Sequence, residues 1–442
     1  MTAASRRHAL VAALAAILAL SACSDDADDG SGNSADASNN GGDDAQDDAG
    51  ADDSGADTAP DSAPDALDDA ATDVPDTGPV AWPVDETPLP EGPWSIDASG
   101  PYTVGFRTLE ATYVPDGMSE PRSIVISLWY PSRQLTGPAP VYSNLVIRDG
   151  EGVKVFQDAR LALDAPAPLL VFSMGHTGFA EQSFFMTEFF ASHGWVVAAP
   201  THTGNTIFDI GVPRPPQMFE WRPQDLRVTL DTLQSLPGDD PLAGMTTDDI
   251  MLSGHSYGGY TTMAAAGAAF DVDGNIADCG RLGDDDDCAY TAAAAERYRA
   301  GFGDPRFRAF VPMAAGNSSV FGADGASAIT APVLLMTALL DASVREATEG
   351  DRYWAQLTLP TAVRVQFLTG AHHTFSNSCD LAPGAFLNDG CADSFIPAAT
   401  AHGIINAYAM AWARKHLLGS DAHDDLLDGT VSLHNDIQVY TR

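Results

Sequence analysis

The segment Gly254-His255-Ser256-Tyr257-Gly258-Gly259 carries the plainest chemical signal in this chain of 442 residues. It lies between an apolar run, Ile250-Met251-Leu252-Ser253, and a small-residue stretch of helical character over 257–269. G-x-S-x-G between a strand and a helix makes a nucleophile elbow. The glycines permit a turn tight enough to push the serine hydroxyl out at the strand's carboxyl end. At the N-terminus of a helix, free N–H groups also favour negative charge developing on an attacked carbonyl oxygen. A purely structural glycine-rich turn is the alternative. The hydroxyl alone is a weak nucleophile near neutral pH, so it needs a base, and the base needs a carboxylate to orient it.

In such an elbow fold, acid and base follow the serine in that order along the chain. Pro332-Val333-Leu334-Leu335-Met336-Thr337 reads as a strand and runs through Ala338-Leu339-Leu340 to Asp341, where an orienting acid belongs. The competing role for Asp341 is to cap a helix expected to start near Ser343. The next strand, Val363 to Leu368, leads into Thr369-Gly370-Ala371-His372-His373-Thr374-Phe375, with two adjacent candidates for the base, His372 and His373. Adjacent histidines can ligate a metal, but no third ligand has suitable spacing, so neither metal nor organic cofactor is expected.

These groups need a scaffold. Thr103 to Val114 and Ser123 to Pro131 read as two early strands, antiparallel to each other. Further strands are expected at 169–173, 195–199, 250–253, 308–313, 333–338 and 363–368, with helices over 181–193, 223–236, 257–269 and 399–418. The alternation implies an α/β fold, a mostly parallel central sheet with helices on both faces, within one domain over 81–442. Residues 271–306 break the rhythm with acidic, glycine-rich sequence and are expected to be an insertion holding one disulfide. Asp271-Val272-Asp273-Gly274-Asn275 resembles the opening of an EF-hand loop, but its twelfth position is Leu282 in place of Glu. A solvated acidic loop is the expectation there, and a calcium site using Asp278 or residues 284–287 the alternative.

Net charge is −39, from 22 Lys+Arg against 61 Asp+Glu, and much of the excess is local. Residues 24–80 hold 18 Asp and no Glu, Lys, Arg or aromatic residue. Such a segment cannot bury enough apolar surface to offset the entropy of ordering, so 23–80 is expected to be a disordered tether, roughly 40 Å across or more. Residues 81–442 still keep 43 acidic against 20 basic side chains, a surface that repels phosphate backbones and argues against nucleic acid. Before the tether, Arg6, Arg7 and His8 precede an apolar run from Ala9 to Leu20, too short for a stable bilayer span. That pattern marks residues 1–22 as a secretory signal peptide. Leu20-Ser21-Ala22-Cys23 resembles a bacterial lipobox. By that resemblance Cys23 takes diacylglycerol and anchors the chain in the cell envelope, at the outer membrane or cell surface. An ordinary cleavage nearby, with Cys23 incidental, is the alternative. Cys279, Cys288, Cys379 and Cys391 then make an even number suited to an oxidising compartment, with 279–288 and 379–391 the simplest of three connectivities.

Together the motifs resemble the α/β-hydrolase superfamily, in particular platelet-activating-factor acetylhydrolases and dienelactone-hydrolase-like serine esterases. Relatives carry a strand ending in Ser-His-Gly before the first oxyanion donor; here Ser173-Met174-Gly175-His176 has Met in place of that His. Ala199-Pro200-Thr201-His202-Thr203-Gly204 and Arg222-Pro223-Gln224-Asp225 match two further family segments, collinear over about residues 100–420. The resemblance implies an α/β-hydrolase fold and oxyanion donors at the backbone N–H groups of His176 and Tyr257. It leaves His202 and His255 to orient loops or pack around the elbow. The family's His-x-x-Phe followed by Cys fits His372, Phe375 and Cys379, which favours His372; its Gly-x-x-His fits Gly370 and His373, the alternative base. Acetylhydrolase relatives take the acid after the preceding strand, where Val311-Pro312-Met313-Ala314-Ala315-Gly316-Asn317 has no carboxylate, so Asp341 follows the dienelactone-hydrolase arrangement.

The expected activity is hydrolysis of carboxylic esters through Ser256, His372 and Asp341, on a small ester or a lipid. Acetyl esters like platelet-activating factor are among the candidates. The alternatives are a lipase or polyester hydrolase, or a non-catalytic surface lipoprotein that uses the fold to bind. Nothing resembles a peptidase's gating domain. A monomer is expected.

Overall fold

Strands whose side chains are apolar on both faces must be covered on both faces, as parallel strands with crossover helices are. In the computed structural model, which describes residues 82–148, 152–283 and 285–442, such strands form the middle of a ten-stranded sheet. The leader, Cys23 and the acidic tether lie outside the described residues. Strands β1 (Thr103–Tyr113) and β2 (Arg122–Ser132) are an antiparallel pair. A small hairpin, β3 (Val141–Tyr142) and β4 (Val146–Ile147), stands apart from the sheet, and β5 (Val155–Gln157) lines the outer edge of β1. Then follow β6 (Ala167–Ser173), β7 (Val196–Pro200), β8 (Thr246–His255), β9 (Phe307–Met313), β10 (Leu334–Ala338), β11 (Val363–Phe367) and β12 (Ile437–Thr441). The order is β12-β11-β10-β9-β8-β6-β7-β2-β1-β5. Every neighbouring pair from β7 to β11 is parallel, while β2 on β7 and β12 on β11 are antiparallel.

Successive side chains of a strand point to opposite faces, which divides the core in two. Leu170, Phe172, Val197, Met251 and Met336 pack against helices α1 (Phe184–Ser192) and a long helix over Ala398–Leu418. Leu169, Val171, Val196, Leu252 and Leu335 pack against α2 (Met218–Gln234) and α3 (Tyr257–Ala265). Leu252 is fully buried, and its truncation to Ala would cost about 2–5 kcal/mol.

The structure departs from the sequence reading in three places. Helix α2 begins at Met218, so Pro223 lies inside it and not at its start. Proline has no N–H to give the Phe219 carbonyl, and the Tyr260 hydroxyl donates to that oxygen instead, at 2.7 Å. No helix starts near Ser343: Asp341 Oδ1 accepts the Val344 N–H at 2.5 Å in a turn, and the next helix runs over Gly350–Gln356. Residues 271–306 are not a solvated loop. Short helices α4 (Val272–Ala277), α5 (Asp285–Ala293) and α6 (Ala295–Ala300) bury Val272, Leu282 and Tyr298 against the second core, and Cys279–Cys288 ties them together. Asp271 caps α4 through the Gly274 N–H at 3.1 Å, and Asp287, 1% exposed, pairs with Arg214. Asp271 and Asp287 are thus spent on a cap and an ion pair, while Asp285 and Asp286 stay exposed.

Candidate active site

The elbow closes because its glycines leave room for neighbouring backbone. A Cβ on Gly258 would lie 2.0 Å from the Ser173 carbonyl oxygen, and one on Gly259 would lie 2.6 Å from Ala315 Cα. With β6 and β9 drawn in so closely, Ser256 adopts φ 59° and ψ −119°, a conformation that costs about 1–3 kcal/mol. Its N–H donates to the Met313 carbonyl at 3.0 Å and its carbonyl accepts the Gly316 N–H at 3.4 Å, so the end of β9 holds the strained residue. The side chain is half-buried.

The acid and base come from loops after β10 and β11. His372 Nδ1–H donates to Asp341 Oδ2 at 2.9 Å, and both residues are 6% exposed. A carboxylate only accepts, so the proton of the neutral ring sits on Nδ1 and Nε2 keeps its lone pair. Burial opposes charge on His372, but the Asp341 carboxylate, aided by Asp389, outweighs it and holds the pKa above the ordinary value. His373 has a different environment: its ring lies on Phe386, centroids 3.7 Å apart, and its buried Nδ1 has no hydrogen-bond partner. Burial, followed by the His372 charge, lowers its pKa to about 3. Only His372 is oriented by Asp341. No hydrogen bond joins Ser256 Oγ to His372 among the described residues, and such contacts commonly tighten only with substrate bound.

A chain of hydrogen bonds joins the base to the loop after β6. Gln182 Oε1 accepts the Gly175 N–H at 2.9 Å, so its amide nitrogen donates to His255 Nδ1 at 2.9 Å, and His255 Nε2–H donates to the His372 carbonyl at 3.0 Å. Burial first, then His372 and His373, push the His255 pKa well below its ordinary value, so this relay stays neutral. Beneath the same loop, fully buried Arg222 donates to the Met174 carbonyl and to Asn205 Oδ1, the latter at 2.8 Å. Asn205 Nδ2 in turn donates to His176 Nδ1 at 2.7 Å. His202 bridges Ser173 Oγ at 2.9 Å and Asp225 at 2.8 Å, and Arg122 is bidentate on that carboxylate. His202 and His255 thus support the loop and the elbow. Gln182 was not singled out by the sequence, because its role depends on meeting His255, 73 positions away.

Tyr257 opens α3, and its N–H has no acceptor among the described residues; the exposed His176 ring lies 6.2 Å from its ring. Ser256, Tyr257, His176, Asp341 and His372 therefore cluster at the carboxyl ends of the parallel strands. Cys379–Cys391 closes a loop beside the base, whereas Cys279–Cys288 lies in the insertion. Among the described residues, no group of three or more His, Cys, Asp or Glu side chains is placed to hold a metal ion. A concavity of about 430 Å³ flanks the acid loop, lined by Leu339, Leu340, Asp341 and Arg345 among others; Ser256 does not line it.

No protein-family model matches the chain, and no curated protein does. Among solved structures it is similar to a ferulic acid esterase from Streptomyces cinnamoneus, with a TM-score of 0.57 and 23% identity, covering 78% of this chain and 98% of that one. Helices on both faces of a mostly parallel sheet, with a serine elbow at its carboxyl edge, give this chain the α/β-hydrolase fold.

Proposed function

We propose that the chain is a serine hydrolase of carboxylic esters. The observation that carries this reading is the His372–Asp341 pair, hydrogen-bonded through His255 to the elbow that presents Ser256. Ser256 Oγ attacks the ester carbonyl while His372 Nε2 takes its proton. The N–H groups of Tyr257 and His176 receive the oxyanion, and Asp341 stabilises the imidazolium. His372 then protonates the departing alkoxide, leaving an acyl-serine, and water activated by the same imidazole releases the acid. The ester specificity of the similar solved structure supports an ester over a peptide.

For the substrate we favour an apolar ester, such as a lipid acetyl ester or a polyester. Phe208 and Val212, 67% and 63% exposed, lie on the segment whose Ile207 N–H donates to the Gly178 carbonyl of the oxyanion loop at 2.8 Å. We place the enzyme at the cell envelope, exported by its leader and anchored through Cys23 by the lipobox-like sequence. The test is hydrolysis of a p-nitrophenyl acyl series, with covalent labelling by a fluorophosphonate. Wild type should turn over esters and be labelled at Ser256. Ser256→Ala should lose both with little change in thermal unfolding, because a half-buried hydroxyl contributes little to packing. Most activity surviving in Ser256→Ala would refute the mechanism. Absence of turnover on every ester would favour a binding role.

A further inference from the structure

Asp341 and His372 stand on separate loops, and a third segment lies across both. It is the segment Phe386 to Cys391, anchored by the Cys379–Cys391 bridge. Phe386 stacks on His373, and Gly390, at φ 127°, approaches so closely that a Cβ would lie 3.2 Å from the Thr374 nitrogen. Between them, Asp389 accepts four hydrogen bonds. Its Oδ1 takes the His372 N–H at 3.1 Å and the Ala342 N–H at 3.0 Å. Its Oδ2 takes the Ser343 N–H at 3.2 Å and the Ser343 hydroxyl at 2.6 Å. One carboxylate thus bonds the backbone of the base residue and the two residues that follow the acid.

We propose that Asp389 is a positioning residue that locks the acid loop to the base loop and so fixes the Asp341–His372 pair for proton transfer. The proposal rests on the reading of Ser256, Asp341 and His372 as the reacting set. Its logic is geometric. At their bases the two loops are joined by the Leu339 N–H on the Phe367 carbonyl at 2.9 Å and the Leu340 N–H on the Gly370 carbonyl at 3.1 Å. Asp389 adds ties further out, at Ala342, Ser343 and His372, where proton transfer tolerates little misplacement, since about 1 Å can cost roughly 100-fold in rate. Four bonds from one disulfide-closed segment restrain the outer part of both loops. The carboxylate also adds to the field at the imidazole. The charged and titratable groups around His372 are Asp341 and Asp389, which favour the imidazolium, and His255 and His373, whose own protonation His372 disfavours and which stay neutral. Burial opposes charge on Asp389, but His372 and the donors around it hold its carboxyl below the usual range, so the charge is present at neutral pH.

The experiment is steady-state hydrolysis of a p-nitrophenyl ester by the full chain, per fluorophosphonate-titrated site, across pH. Asp389→Asn keeps the shape but removes the charge and turns one acceptor into a donor aimed at N–H groups. Its kcat should fall roughly 10- to 100-fold, with KM nearly unchanged and the acid limb of kcat/KM moved to lower pH. A role in stability alone would lower the unfolding midpoint and leave kcat per labelled site and the acid limb as in wild type, which overturns the proposal. Ser343→Ala deletes one of the four bonds at an exposed position and should give a smaller fall in kcat. If Asp389→Asn does not fold, an unchanged kcat in Ser343→Ala overturns the proposal. Ser256→Ala and His372→Ala separate the two levels. If either retains activity, the reacting set itself is wrong; if both are inactive while Asp389→Asn is wild-type, only the lock is wrong.

Discussion

Removing the Tyr260 hydroxyl should destabilise the protein through a carbonyl 41 positions away. Pro223 cannot donate to Phe219 O, and Tyr260 OH, fully buried, does so at 2.7 Å. Tyr260→Phe leaves that carbonyl without a donor while keeping the ring. Orphaning a buried acceptor costs about 1–3 kcal/mol, set against nothing gained in packing. The cause can be isolated by restoring the missing donor. Pro223→Ala supplies an N–H one helical turn after Phe219, so in that background the hydroxyl should matter less, with a coupling of about 1–2 kcal/mol. The assay is urea unfolding of the four proteins of this cycle, read by tryptophan fluorescence and far-UV circular dichroism. Equal costs of Tyr260→Phe in both backgrounds would refute the reasoning. Helix α3, which carries Tyr260, also forms the far side of the elbow, so the same bond ties α2 to the turn that holds Ser256.

Other outcomes follow from the site. His372 must be neutral to accept a proton and Asp341 raises its pKa, so kcat/KM should fall with acid through a limb above 6.5, and Asp341→Asn should move that limb down. The same raised pKa favours the protonated folded state, so its contribution to stability is full below 6.5 and is lost as pH rises through the folded value; unfolding against pH checks this sign. The Cys379→Ala/Cys391→Ala variant opens a loop whose closure contributes roughly 3 kcal/mol by chain entropy. Measured at low temperature, where it stays folded, it should show a lowered kcat; an unchanged kcat would separate the bridge from catalysis. Cys23→Ala should shift the protein from the membrane pellet to the supernatant, and continued sedimentation would reject the lipid anchor.

The central strands were legible because burial on both faces demands apolar residues at every position, as in Leu334–Ala338. The edges were not. Strand β5 has three residues, only one of them buried, and β12 buries only Ile437, so neither carries an apolar run. Pro223 misled for a physical reason: proline commonly opens a helix, and its tolerance inside α2 depends on a hydroxyl from another helix. Ser256 was readable from local spacing, since the elbow is built by its own glycines. Asp341 was readable from its place after a strand. Gln182 and Asp389 have no such local mark; one works through His255 and the other through residues 17 to 47 positions away.

Apart from Ser256, His372 and Asp341, the molecule holds another serine, histidine and aspartate, Ser173, His202 and Asp225, joined in hydrogen-bonded series, with no exposed surface on any of the three. It serves as an internal control on what such a series can do. Both imidazoles, His202 and His372, touch an aspartate through Nδ1. Their titrations nevertheless diverge. Burial and then Arg222 drive His202 down to about 3, whereas two carboxylates hold His372 above its ordinary value. A base must carry positive charge in the transition state, and His202, flanked by arginines, can bear none near neutral pH. Ser173 therefore stays an unactivated hydroxyl, sealed from any carbonyl. Matching side chains by geometry alone would count two reactive centres in this fold. Counting the charge each imidazole can sustain leaves only the proposed one, at His372.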